Sequence, residues 1–309
     1  MGRVGRKAIC GRLSNGLSSE PRDNSIVTKR TFGWTGVEVP VVGQGTWMIE
    51  GSRAGERRAV EALRAGIDLG LTHIDTAEMY GSGRAEELAG EAIAGRRDEI
   101  FLVSKVLPSN ASYDGVLRAC ARSLARLGTD HLDLYLLHWE SSYPITETMR
   151  AMERLIDERQ IRFAGVSNFD VAQVEAAQAA LRNHKLASNQ VLYHVRERGI
   201  ERRLLPYCEQ RGIAVVAYTP FGRKAFPRLD SHPGRTLAEI AQRNGRTVRQ
   251  VILNFLTRLP HVFTIPKASH PEHTRENAGG SGWILPPEDI AAIDRAFPAP
   301  DHDVPQAML

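Results

Sequence analysis

Asp75, Tyr80, Lys105 and His138 are residues whose types and spacing could do chemistry together. A phenol is a poor acid near neutral pH, with a reference pKa of about 10. A neighbouring ammonium stabilises the phenolate, and a carboxylate keeps that ammonium charged and oriented. A histidine can orient a carbonyl oxygen by hydrogen bonding or relay a proton. Such a set would protonate a carbonyl oxygen as hydride arrives at its carbon, and it requires no metal. Taken singly, each residue has a plainer reading: Asp75 as a helix cap, Lys105 as a strand-end cation, His138 as a structural histidine. Lysine is scarce beside arginine in this chain. A lysine kept in an apolar setting therefore points to a task arginine does poorly, such as shifting its pKa or acting as a compact point charge.

The elements that must position these groups follow an alternating pattern. Strand-like runs occupy 42–46, 72–75, 100–105, 132–138, 161–167, 187–190, 213–218 and 262–266, and each leads into an amphipathic helix. Asp75 ends the second run, Lys105 the third and His138 the fourth, with Tyr80 in the loop beyond Asp75. Separations of about thirty residues put them on adjacent strands facing one mouth. Eight βα units in this order predict an α/β fold, a closed (β/α)8 TIM barrel whose functional groups project from the C-terminal strand ends. An open doubly wound sheet is the alternative, weakened because no G-x-G-x-x-G follows the first strand. Helices are expected over 56–69, closed by Gly70, and over 113–127, closed by Gly128. Asp170 is expected to cap a helix over 171–181, and Thr236 one over 237–244. Residues 31–32 and 37–42 flank a Gly-Trp-Thr-Gly turn, predicting an N-terminal β-hairpin. A Pro/Gly/Arg-rich insertion at 221–235 belongs to the mouth, and a short tail, 298–309, follows the last helix at 287–297.

Composition narrows the function classes. With 309 residues, 42% hydrophobic and 25% charged, the chain has the length of one α/β barrel and apolar residues enough for a large core. Residues 1–30 read as a disordered N-terminal extension, basic and lacking the apolar segment of a secretory signal, and 31–309 as a single barrel domain. The net charge of +4 is spread along the chain without the compact basic block of a nucleic-acid site. Cys10, Cys120 and Cys208 are widely spaced, suggesting neither a disulfide framework nor a zinc site, and a cytoplasmic location is expected. No apolar run approaches the ~20 residues of a membrane helix.

Longer motifs carry a resemblance. GLTHIDTAEMY at 70–80 resembles the aldo-keto reductase signature around its aspartate and tyrosine. MERLIDERQIRFAGVSNF at 152–169 is similar to the second signature, and IPKASHPEHTREN at 265–277 to the third. With GQGTW at 43–47 and LHWE around His138, the similarity runs from about residue 31 to 297. It implies NADPH-dependent reduction of a small-molecule aldehyde or ketone. Tyr80 would be the general acid, Lys105 would lower its pKa, Asp75 would pair with Lys105, and His138 would orient the carbonyl. Ser167, Asn168 and Gln190 would hold the nicotinamide carboxamide, with Thr46 and Asp75 nearby, and Tyr218 would stack on the ring. The loop Thr219, Pro220, Phe221, Gly222 and Arg223 would wrap the pyrophosphate. Trp47 and Trp139 would wall an apolar substrate body.

The third signature departs from the pattern. Lys267 matches the cation for the adenosine 2′-phosphate, and Glu276 and Asn277 match the adenine contacts. His273 stands where arginine is frequent and Ala268 where serine is frequent, which removes phosphate hydrogen bonds; Ser269 and Arg275 could compensate. The resemblance thus implies NADPH as the preferred cofactor, with NADH a possible substitute. The short tail is expected to leave the pocket open on one side. Two rival readings are a nucleotide-binding, redox-responsive regulatory protein with little turnover, and a barrel lyase or isomerase using Lys105 as a Schiff-base amine. The sequence does not specify the oligomeric state.

Overall fold

A computed structural model describes residues 1–2 and 27–309 of the chain. Most of the expected extension, residues 3–26, lies outside the described residues. The chain enters through an antiparallel pair, β1 (Lys29–Thr31) with β2 (Glu38–Pro40), so the hairpin starts two residues inside the stretch read as extension. Its turn carries Phe32, which is fully buried against Phe101 and Phe263 at ring-centroid distances of 4.9 Å each. Burying a phenylalanine is worth roughly 1.5–3 kcal/mol, and this one plugs the N-terminal end of the barrel.

Eight parallel strands build that barrel: β3 (Gln44–Gly45), β4 (His73–Asp75), β5 (Phe101–Val106), β6 (Leu132–Leu137), β7 (Ile161–Ser167), β8 (Leu186–Leu192), β9 (Ala214–Tyr218) and β10 (Val262–Thr264). They pair in chain order from β3 to β10. Parallel bridges Val42–Thr264 and Gly45–Lys267 join the first strand's segment to the last and close the sheet. The short β3 reflects this seam, where Gly43 N–H donates to Thr264 O at 2.7 Å and Gly45 N–H to Pro266 O at 3.2 Å. A Cβ on Gly45 would stand 2.7 Å from Ile265 O, so the seam closes only around a glycine.

The helical layer comprises α1 (Arg53–Asp68), α2 (Arg84–Ile93), α3 (Tyr113–Leu127), α4 (Ile145–Asp157), α5 (Val171–Ala180), α6 (Leu204–Gln210), α7 (His232–Arg243), α8 (Val248–Leu256), α9 (Pro271–Ala278) and α10 (Pro287–Ala296). Their starts follow capping chemistry. Ser52 and Ser112 cap α1 and α3, and Asp170 caps α5 in a reciprocal box with Gln173. Gly128 ends α3 at φ 62°, as its type predicts. One expectation is corrected. Helix α7 begins at His232 under a Ser231 cap, because Pro233 is tolerated in a first turn, and Thr236 Oγ1 donates to His232 O from inside the helix. The last part of the 221–235 insertion is therefore helical. No helix among the described residues is long and apolar enough to cross a membrane.

Candidate active site

Alternate side chains of a barrel strand point to the axis. On β5 the axial row is Phe101, Val103 and Lys105, while Leu102 and Val106 pack under the helices and Ser104 Oγ donates to Glu86 of α2 at 2.6 Å. On β6 the row is Leu134 and Leu136, continued by His138, and on β9 it is Ala214, Val216 and Tyr218. On β4, Ile74 belongs to the helical side, leaving His73 and Asp75 inward. The register that fills the barrel with apolar side chains thus delivers the reactive ones to its C-terminal end.

There the four residues meet. Lys105 Nζ donates to Asp75 Oδ1 at 2.5 Å and to Thr76 O at 2.9 Å, and it lies 3.4 Å from Tyr80 Oη. The Tyr80 and His138 rings are edge to face at 5.7 Å. Asp75 Oδ2 accepts from Gln190 Nε2 at 2.7 Å, so both carboxylate oxygens are committed. Next to them, Ser167 Oγ donates to Gln190 O, Asn168 Nδ2 to His138 O, and Tyr218 Oη to Asn168 Oδ1 at 2.9 Å.

Burial sets the electrostatics. It penalises the Lys105 ammonium, but Asp75 and the Tyr80 oxygen more than offset this and hold the lysine above its ordinary value. Burial raises the Asp75 carboxyl against the pull of Lys105. It also raises the Tyr80 phenol above its ordinary value, with Lys105 pulling it down and Asp75 pushing it up. The expected lowering by Lys105 is present, then, but desolvation outweighs it. His138 is brought down to about 2 by burial and then by Lys105, leaving a neutral ring whose buried Nδ1 has no partner among the described residues. With an ammonium held charged among three acceptors, Lys105 is poorly suited to the free-amine nucleophile of a Schiff base.

A cavity of about 590 Å³ opens over this cluster, running from Tyr80 and His138 past Ser167, Asn168 and Tyr218 to Lys267. Residues 41–297 match the model of the aldo/keto reductase family. The chain belongs to that family. It is 44% identical to methylglyoxal reductase YeaE of Escherichia coli K12, covering 85% of this chain and 93% of that one. It is 34% identical to glyoxal reductase of Bacillus subtilis, covering 86% and 94%. An aldo/keto reductase from Klebsiella pneumoniae, solved with NADP and acetate, superposes with a TM-score of 0.86 at 43% identity, covering 92% of this chain and 100% of that one. Oxidoreductase chemistry of aldo/keto reductase type goes with this membership.

The remaining residues singled out in the sequence divide between the cavity and its surroundings. Thr46, Trp47, Trp139, Ser167, Asn168, Gln190, Tyr218, Thr219, Pro220, Phe221, Arg223 and Lys267 all line the cavity. Gly222 is not among the lining residues, and Ala268, Ser269, His273, Glu276 and Asn277 lie outside the lining too, on α9 and the segment before it. His273 packs beside His270 at 5.6 Å, and Glu276 faces Arg249 at 3.9 Å. Met48, Asn168, Thr219 and Arg223 line the cavity with positive φ between 49° and 61°, a conformation costly for side chains other than glycine. Arg223 stacks over Trp47 at 4.6 Å, linking two loops across the opening.

Sequence reasoning missed several lining residues: Met48, Met79, Ile265, Met308 and Leu309. The tail does not leave the pocket open, as its brevity suggested. Arg202 holds Asp303 at 2.6 Å and Asp301 O at 2.7 Å, and the chain then returns so that Leu309 N–H reaches Tyr218 Oη at 3.4 Å. Only pairing of arginine with acidic residues about a hundred positions away would have signalled this.

Proposed function

We propose that this chain reduces aldehydes or ketones to alcohols with NADPH, using Tyr80 as the proton donor. The observation that carries the reading is the contact of Tyr80 Oη with an ammonium that is itself fixed by Asp75, at the floor of the cavity. The site fits a nicotinamide nucleotide on several counts. Ser167, Asn168 and Gln190 present amide and hydroxyl groups suited to a carboxamide, Tyr218 offers an aromatic face, and the loop from Thr219 to Arg223 lines the far side. Lys267, an exposed cation at the end of the cavity, suits the 2′-phosphate and favours NADPH over NADH. When bound, NADPH supplies the hydride. Neutral His138 orients the substrate carbonyl through a ring nitrogen, and Tyr80 gives its proton to the oxygen as negative charge develops there. Lys105 stabilises the resulting phenolate, and Asp75 keeps Lys105 charged. Trp47 and Trp139 exclude water from the reacting carbonyl.

The names of the relatives support small 2-oxoaldehydes as first substrates, since one reduces methylglyoxal and another glyoxal. The test is Tyr80→Phe assayed with NADPH and methylglyoxal. Reduction is expected to fall by about 10²–10⁴-fold, the usual worth of a general acid. NADPH binding, followed by fluorescence titration, should stay near the parent value. Turnover within a factor of two of the parent would exclude Tyr80 as the donor.

A further inference from the structure

Glu78 lies two residues before Tyr80 and is buried beneath the loop that carries it. Its Oε1 accepts from the Leu107 backbone N–H at 2.8 Å and from Asn110 Nδ2 at 2.9 Å. Its Oε2 faces Arg122 Nη2 of α3 at 3.4 Å, and its own N–H donates to Lys105 O at 3.3 Å. One side chain thus ties the loop after β4 to the end of β5 and to the segment leading into α3.

The need for such a tie comes from how Tyr80 and Lys105 are held. Lys105 is immobilised by the strand, by Asp75 and by Thr76 O. Tyr80 rides on a tight turn whose next three residues, Gly81, Ser82 and Gly83, have φ of 54°, 54° and 96°, away from helical and strand values. The Tyr80–Lys105 contact of 3.4 Å therefore depends on where the loop sits. We propose that Glu78 is a positioning residue, which sets Tyr80 Oη against Lys105 by clamping the Tyr80 loop to the β5 end. This rests on the reading of Tyr80 as proton donor.

Replacing Glu78 by alanine leaves the Leu107 N–H and Asn110 amide without their acceptor. Glutamine keeps an oxygen for both and turns an amide toward Arg122, which is about half exposed and free to turn to solvent. Glu78→Ala is expected to lower kcat by about 10–100-fold, the scale of a small misplacement, while leaving the KM for NADPH within a factor of two. The solvent deuterium isotope effect on kcat should rise as proton donation slows. In the protein without nucleotide, amide exchange in peptides spanning 76–83 should accelerate. Glu78→Gln should restore all three toward the parent. Asn110→Ala, which removes one arm of the clamp, should show the same signature more weakly even where Glu78→Ala folds poorly. Unchanged kcat and isotope effect in Glu78→Ala, or equal losses in the alanine and glutamine variants, would overturn the clamp. Loss of turnover in Tyr80→Phe combined with an unaffected Glu78→Ala removes only this inference; retained turnover in Tyr80→Phe removes both.

Discussion

At the residue scale, the same burial acts in opposite senses on Tyr80 and His138, the two groups proposed to meet the carbonyl. His138 is neutral because desolvation, and then Lys105, hold its pKa at about 2. Tyr80 stays protonated because burial lifts it above the ordinary phenol range despite Lys105. A neutral histidine and a protonated phenol are the forms that orient and protonate a carbonyl oxygen. His138 has no proton to lose near its unfolded value, so kcat should show no limb at about pH 6.5, where an unperturbed histidine would titrate. Activity should decline only on the alkaline side, as Tyr80 loses its proton. A limb near pH 6.5 that vanishes in His138→Gln would contradict the neutral assignment. These four residues were legible in the sequence because Asp75, Lys105 and His138 sit at strand ends and Tyr80 shares one long motif with Asp75. Glu78 lies in the same motif, yet its three partners come from the segment after β5 and from α3, so nothing local marked it.

At the element scale, the barrel is closed at a seam between its shortest strand and its last. Gly45 carries that seam, since a methyl group there would stand 2.7 Å from Ile265 O and the obstruction is backbone. Gly45→Ala should therefore destabilise the fold by about 1–3 kcal/mol, the usual cost of overpacking, and weaken NADPH binding by moving the adjacent Thr46 and Trp47. Urea unfolding and fluorescence titration check the two effects, and a parent-like denaturation midpoint would mean that the seam relaxes freely. The rows of β5, β6 and β9 were legible because their axial side chains are apolar until the last position, where Lys105, His138 and Tyr218 interrupt them. The α7 boundary was not: Ser231, with Pro233 and Gly234 in the turn after it, competes with Thr236 as cap, and only the backbone decides between them.

At the scale of the whole molecule, the barrel encloses His73 and holds His138 at its mouth, both neutral. His73, between Phe32 and Phe101, has neither ring nitrogen partnered among the described residues and is lowered to about 3, chiefly by burial. The sign is that of a base depressed on folding: the unfolded chain takes up these protons below about pH 6.5 while the folded chain does not. Stability is complete above that pH and falls as pH drops toward the folded values, by up to about 1.4 kcal/mol per pH unit for each histidine. Denaturation midpoints measured between about pH 7 and 4 should show the decline, and His73→Gln should flatten it even though it lowers stability at neutral pH. A parent and variant with the same slope would mean that His73 is protonated inside the barrel.

The sequence alone determined the barrel, its strand order and four of the groups at its mouth, because alternation along strands and helix-capping residues are local signals that survive without contacts. The motifs at 70–80, 152–169 and 265–277 determined the family. Only the tertiary structure decided what those groups experience. Desolvation rather than the neighbouring ammonium dominates the Tyr80 phenol, Gln190 Nε2 is committed to Asp75 so that the amide oxygen is what it can offer, and residues distant in sequence complete the site. Met308 and Leu309 reach the cavity through ion pairs formed about a hundred residues upstream, and Glu78 acts across two loops. Each of these depends on distances through space, which a pattern of residue types along the chain does not encode.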